Sequence, residues 1–421
     1  MARKKQKQSI QRQQLVPPIM KKAFLVCIAL LLCSTVARAQ RSDEAKNILR
    51  LSREKCQSIK GGHYVMQWKK KYLSDKDTIT GRYTCDFKKL PTDTVFGKAF
   101  AQFEEFDDDG THYLYTGNEF VWYDDTVGEV MSCERWADKI IRGRHNRTFY
   151  YALTNKSCYP IATEEEMADS SYSYSLSETI LDGKPCHLVD YVKRDFPPDT
   201  VFGINTIRYE VNLWIDKQNY MPIQYSIDID IVEGQDTQYQ YDFSKLLVFD
   251  TVINESRLSL KSIPAEVSLK DYVPYTPPEP LAEGTAAPDW SLPTLTGDTV
   301  RLADLKGKVV LIDFFYKSCA PCCAALPALQ SLHEKYKDRD FVMIGIDPYD
   351  KPEKDEMADF LSKREVTYTV LFSDYELSKN YHVAVYPTLF FIDREGKIVK
   401  IETGFSKTME EEIEEQLLKM L

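Results

Sequence analysis

VVLIDFFYKSCAPCCAALP, Val309 to Pro327, decides the reading of this chain. Its first half is a continuous apolar run broken only by Asp313, which suits a strand covered on both faces. Its second half sets Cys319 and Cys322 three residues apart, around Ala320 and Pro321, where the strand should turn into a helix. A thiol at a helix N-terminus faces free backbone N–H groups and the positive end of the helix dipole, and both favour the thiolate. Cys322, one turn deeper, lies close enough to attack a disulfide formed on Cys319. The spacing therefore predicts a nucleophile, Cys319, and a resolving thiol, Cys322. Pro321 stiffens the first turn, where a missing N–H has no cost.

Working outward, ALPALQSLHEKYK reads as the helix that follows, and FVMIGID, TYTVLF, TLFFID and KIVKIETG read as strands. KPEKDEMADFLSKRE, DYELSKNYH and SKTMEEEIEEQLLKML read as helices between and after them. Alternating strands and helices that end in a hairpin and a helix make a compact α/β domain over residues 286–421.

LIDFFYKSCAPCCAALP resembles the active-site segment of thioredoxin-fold proteins. GTAAPDWSLPTLTGDTVRLADLKGKVVLIDFFY before it resembles the entry to the TlpA/ResA branch of periplasmic thiol-disulfide oxidoreductases, which are AhpC/TSA-related, and VYPTLFFIDREGKIVK matches their later proline strand and hairpin. The resemblance runs from about Gly284 to Leu421. It implies a thioredoxin fold that exchanges disulfides with protein substrates, needs no cofactor and takes electrons from a membrane thiol reductase. By match, Asp313 is the buried acid that accepts the resolving thiol's proton, and Pro387 is the cis-proline that faces the disulfide. Tyr386, Ser318, Ala320 and Pro321 then form the substrate-docking edge, and Pro327 kinks the first helix. Asp313 also stands out on physical grounds, because an unpaired carboxylate in a core strand is costly and usually has a task.

Two positions depart from that family. Ser318 stands where Trp is common, which removes an aromatic wall beside the nucleophile. Cys323 stands where a basic residue is common, and is expected to be a small spectator on the helix. The alternative is a copper site of the Sco type, with Cys319 and Cys323 on one helix face and His382 upstream of the proline loop, since soft thiolates suit Cu(I). A peroxidase reading fails on spacing: peroxiredoxins place Thr three and Pro seven residues before their reactive cysteine, and here those positions are Tyr316 and Ile312.

Residues 40–261 read differently. After a helix over SDEAKNILRLSREK, strict alternation in IRYEVNLWID and IQYSIDIDI predicts a mainly antiparallel β domain with one buried face. GKPCHLVDY and NLWIDKQNYMPIQYSI resemble the late strands of LolA-type carriers, in which a curved sheet wraps a helix and an apolar cavity. That resemblance implies an apolar ligand, so a ligand-binding protein with an accessory redox domain is the second alternative. PTDTVFG (Pro91–Gly97) and PPDTVFG (Pro197–Gly203) are read as two similar strand-to-strand turns.

The proline-rich stretch 262–285 is read as a spacer. Residues 1–39 are read as a secretory signal with a possible true start at Met20, an apolar run of h-region length and a cut before Gln40. The expectation is an exported, periplasmic protein. Loss of Cys27 and Cys33 with the signal leaves five cysteines before the spacer: Cys56, Cys85, Cys133, Cys158 and Cys186. Their pairing is open, and the odd number requires at least one thiol. A formal net charge of −10 argues against a nucleic-acid partner.

Overall fold

A computed structural model describes residues 40–72, 78–106, 109–136, 159–199, 204–233, 236–274, 276–350 and 356–421. Residues 1–39, read as a signal and including Met20, and Cys158 lie outside them. Among the described residues no helix is long and apolar enough to cross a membrane.

The N-terminal part is one sheet of twelve strands. Its first meander is β1 (Gly61–Lys71), β2 (Ile79–Lys89), β3 (Lys98–Phe106), β4 (Asp109–Tyr115), β5 (Glu119–Tyr123) and β6 (Val127–Ser132). Its second is β7 (Tyr172–Leu181), β8 (Lys184–Lys193), β9 (Ile204–Asp216), β10 (Pro222–Glu233) and β11 (Asp236–Asp250). An antiparallel pairing of β1 with β11 joins the two. Helix α1 (residues 40–58) packs against the sheet through Ala45, Ile48, Leu49 and Cys56, a stripe at helical spacing that meets Tyr64, Met66, Phe87, Val211 and Leu213. In β9 the predicted inward row holds for Val211, Leu213 and Ile215, while Ile207 is 44% exposed. The first DTVFG segment joins β2 to β3, and residues 200–203 of the second lie outside the described residues. In the first, the Asp93 carboxylate accepts the N–H groups of Phe96 and Gly97 and the Tyr115 hydroxyl.

The stretch read as a spacer is not all spacer. Ser268–Asp271 forms β12, which pairs in parallel with β6 at the sheet edge. The four residues lie between Pro264 and Pro274 and contain no proline, so their N–H groups can join a ladder. At the other end, Gly284 donates its N–H to Ile398 and Ala287 to Gly396, which ties the stretch to the C-terminal domain.

The C-terminal part opens with a small hairpin, β13 (Ser291–Pro293) and β14 (Thr299–Arg301). Its main sheet has the order β17-β16-β15-β18-β19, built from β15 (Val309–Phe314), β16 (Phe341–Asp347), β17 (Thr369–Phe372), β18 (Thr388–Ile392) and β19 (Ile398–Thr403). Strand β15 is central, parallel to β16 and antiparallel to β18, and all six of its residues are buried. Period two then sorts its side chains. Val309 and Leu311 face the cluster that holds the cysteines, whereas Val310, Ile312 and Phe314 face the opposite core. Asp313 belongs to the first row. Helices α3 (Ala320–Tyr336), α4 (Glu356–Lys363), α5 (Tyr375–Asn380) and α6 (Met409–Met420) complete the domain, and α2 (Glu164–Ala168) lies earlier, before β7.

Candidate active site

Cys319 is the N-cap of α3, and its Sγ accepts the backbone N–H of Cys322 at 3.2 Å. Cys319 and Cys322 form a disulfide. Cys319 is 4% exposed and Cys322 fully buried, so an incoming group meets Cys319 first. Ala320 and Pro321 occupy the first turn, half-buried, and Ser318 beside them is exposed. Helix α3 continues through Pro327 to Tyr336.

Asp313 is completely buried, and neither of its carboxylate oxygens has a hydrogen-bond partner among the described residues. With no cation and no donor to hold the charge, burial alone pushes its pKa up to about 7. Its register partner on β16 is Gly345, where a Cβ would come within 2.9 Å of the Phe315 ring and 3.3 Å of Tyr368. The missing side chain lets those rings close around the acid. The buried Tyr368 hydroxyl is pushed to a higher pKa by desolvation and by the Asp313 charge.

The Tyr386–Pro387 bond is cis, and the Pro387 carbonyl accepts the N–H of Gly404. Tyr386 packs against the cluster that contains Cys319, Cys322 and Cys323. Its hydroxyl donates to Ser378 at 3.0 Å.

Cys323 is buried, and its Sγ–H donates to the Lys317 carbonyl at 3.5 Å. The Lys317 N–H donates to Asp350 Oδ2 at 3.0 Å, and its ammonium lies 3.9 Å from Asp350 Oδ1. The residue two before Cys319 is thus pinned on both sides of its backbone. Asp350 is held in turn: Asp347 Oδ1 accepts the N–H groups of Tyr349 and Asp350, and burial and the Asp350 charge raise the Asp347 pKa. Lys317, Gly345, Asp347, Asp350 and Tyr368 were not singled out from the sequence. The one signal available was the pair of acids in GIDPYD directly after a buried strand.

The copper alternative is not assembled. His382 turns Nδ1 to the Glu279 carbonyl at 2.6 Å, and among the described residues no three His, Cys, Asp or Glu side chains gather as a metal site. Cys323 is committed to Lys317 by the same helical turn that was expected to aim it at a metal. In the N-terminal part Cys85, Cys133 and Cys186 carry no disulfide, and burial raises the pKa of all three thiols.

A disulfide-bonded pair at the head of a helix, a buried acid on the adjoining strand and a cis-proline loop are features of one class. The chain belongs to the thioredoxin-like thiol-disulfide oxidoreductases of the TlpA/ResA type, and is itself a thiol-disulfide oxidoreductase. Residues 284–401 match the AhpC/TSA family. The thioredoxin-like protein YneN of Bacillus subtilis is 34% identical over 137 residues, which cover 32% of this chain and 80% of YneN. The thiol-disulfide oxidoreductase ResA of Bacillus subtilis is 31% identical over 127 residues, covering 30% of this chain and 70% of ResA. Among solved structures, the pneumococcal exposed lipoprotein thioredoxin Etrx1 of Streptococcus pneumoniae is 33% identical, with 31% of this chain and 99% of that one covered and a TM-score of 0.27.

Proposed function

We propose that this protein exchanges disulfides with protein substrates through Cys319 and Cys322. The observation that carries the reading is the Cys319–Cys322 bond at the head of α3, with a helix N–H on the Cys319 sulfur. In the reducing direction, the Cys319 thiolate attacks a substrate disulfide. One S–S bond breaks, one substrate thiolate leaves, and a mixed disulfide forms. Cys322 loses its proton to Asp313 and attacks Cys319, which releases the second substrate thiolate and leaves the protein disulfide. Two electrons pass to the substrate, and a membrane thiol reductase returns them. Asp313 is unpartnered in the disulfide form because the thiol it serves exists only after reduction. Pro387 and the Tyr386 backbone, with Ser318, Ala320 and Pro321, hold the substrate chain against the sulfur. The same steps run backwards when the substrate is a dithiol.

The proposed organisation is an exported, periplasmic chain with a signal over 1–39 cut before Gln40, a β-rich docking or ligand-binding domain over 40–261, a spacer within 262–285 and the exchange domain over 286–421. The test is reduction of a protein disulfide by the pre-reduced full chain, with stoichiometric loss of its two thiols. A chain that stays reduced beside an excess of oxidised substrate contradicts the proposal.

In this reading Cys323 supports the loop and takes no part in exchange. Cys323→Ser is expected to retain at least about half of the exchange rate, because a hydroxyl can donate to the Lys317 carbonyl as the thiol does. The comparison is of initial rates on one protein disulfide. A Cys323→Ser variant as inactive as Cys319→Ser, in a wild type that co-purifies with copper, points back to the metal reading.

A further inference from the structure

Four tyrosines gather at the sheet end that carries the disulfide, each from a different connection, and Tyr316 and Tyr386 among them pack on the cluster that holds the cysteines. Tyr316 precedes Cys319 by three residues, Tyr349 follows β16, Tyr375 opens α5 after β17, and Tyr386 precedes the cis-proline. All four lie at the end of the sheet where the parallel strands β15, β16 and β17 finish, which is the end that carries the disulfide. Their rings form one group: Tyr316 meets Tyr349 at 5.1 Å and Tyr386 at 5.3 Å between centroids and Tyr349 meets Tyr386 at 5.6 Å, all three edge-to-face, while Tyr375 lies tilted against Tyr349 at 5.8 Å.

The group is not a core. Tyr349 is 52% exposed and Tyr375 42%, and Val385 beside Tyr386 is 51% exposed. A contiguous exposed aromatic patch on a water-soluble domain marks a binding surface. Tyrosine is suited to one that is wet between encounters, since its hydroxyl takes water while its ring supplies rigid contact area at little entropic cost.

We propose that Tyr316, Tyr349, Tyr375 and Tyr386 form a docking platform for the segment of a substrate polypeptide that flanks its reacting cysteine, and that the platform selects an aromatic side chain there. The occupant is a substrate because the platform is continuous with the reacting sulfur through Tyr316 and Tyr386. The preferred side chain is aromatic because Tyr349 and Tyr375 present partly exposed rings, with the Lys379 ammonium over the Tyr375 ring at 5.3 Å, and aromatic pairs gain from ring geometry beyond their buried area. The proposal deepens the exchange reading of Cys319 and Cys322 and rests on it.

The test compares three substrates of the reduced full-length protein: bis(2-hydroxyethyl) disulfide, and two disulfide-bonded peptides that differ only in Phe or Ala two residues from a cysteine. The wild type is expected to prefer the Phe peptide by about tenfold in kcat/KM, carried by KM. A Tyr349→Ala/Tyr375→Ala variant is expected to bring that preference to near unity and to lose far more on the Phe peptide than on bis(2-hydroxyethyl) disulfide. Tyr349→Phe/Tyr375→Phe should retain the preference, which separates ring contact from a general loss of structure. A wild type without preference, or a double alanine variant that keeps it, overturns the platform while leaving exchange intact. Failure of the wild type on all three substrates overturns the exchange reading and the platform with it. A dimer dissolved by the alanine substitutions makes a second copy the occupant and also overturns the proposal.

Discussion

Cys319→Ser is expected to abolish exchange, with a loss on the order of a thousandfold or more, while Cys322→Ser is expected to complete only the first half of the reaction. The two cysteines are close in sequence but differ in environment. Cys319 is the more accessible member, and its sulfur sits where the first turn of α3 leaves N–H groups unpaired, one of which already points at it. A hydroxyl at that place has a pKa far too high to be ionised by one such donor, so serine supplies no nucleophile. Cys322 is fully buried behind it, and the sulfur within its reach is that of Cys319 itself. Removal of Cys322 therefore leaves the first attack in place and the mixed disulfide without its intramolecular exit. Mass spectrometry of Cys322→Ser after mixing with a disulfide-bonded protein should show a covalent adduct on Cys319. The Cys319→Ser sample should show none on Cys322. An adduct on Cys322 reverses the roles.

Asp313→Asn has two large effects of opposite sign. In the folded protein burial raises the Asp313 pKa from the ordinary 3.8 to about 7. The folded state thus holds the proton more tightly than the unfolded chain does. That stabilisation is present in full below about pH 4, is lost as the pH rises towards 7, and gives way above 7 to the whole penalty of a buried charge. Asparagine carries no charge at any pH. The variant should match the wild type at pH 4 and exceed it at pH 8, by up to about 4 kcal/mol. Chemical denaturation at the two pH values, with the disulfide intact, checks the sign. Exchange moves the other way. Without an acceptor for the Cys322 proton the second step should slow by about a hundredfold, and the inflection of the pH–rate profile near 7 should disappear. A variant both no more stable at pH 8 and equally fast removes Asp313 from the account.

The site was legible where a local pattern had one physical solution. An apolar run broken by a single acid suits a strand covered on both faces, as β15 is, while the role expected of Asp313 came from its match to the family. The same holds for α3, where Cys319 is the cap and Pro321 falls in the first turn. What could not be read depends on pairing between distant segments. Lys317 meets Asp350 because β15 and β16 run parallel and end together, and the tyrosine group arises in the same way from four connections. His382 precedes the proline loop as the sequence says, yet its ring is turned away by a carbonyl more than a hundred residues upstream. Strand β12 has no apolar alternation, since all four residues are exposed, and only its ladder to β6 makes it a strand. The closure of β1 on β11 likewise leaves no local mark.

Equilibration of the full-length protein with buffers of graded glutathione ratio, followed by alkylation and peptide mass spectrometry, tests the central claim most directly. The account predicts that Cys319 and Cys322 lose their alkylation together along one two-electron curve, whose midpoint is the reduction potential that sets the direction of exchange, while Cys323 never joins a disulfide. If Cys319 instead pairs with Cys323, or Cys319 and Cys322 remain thiols at every ratio, the exchange pair is misassigned.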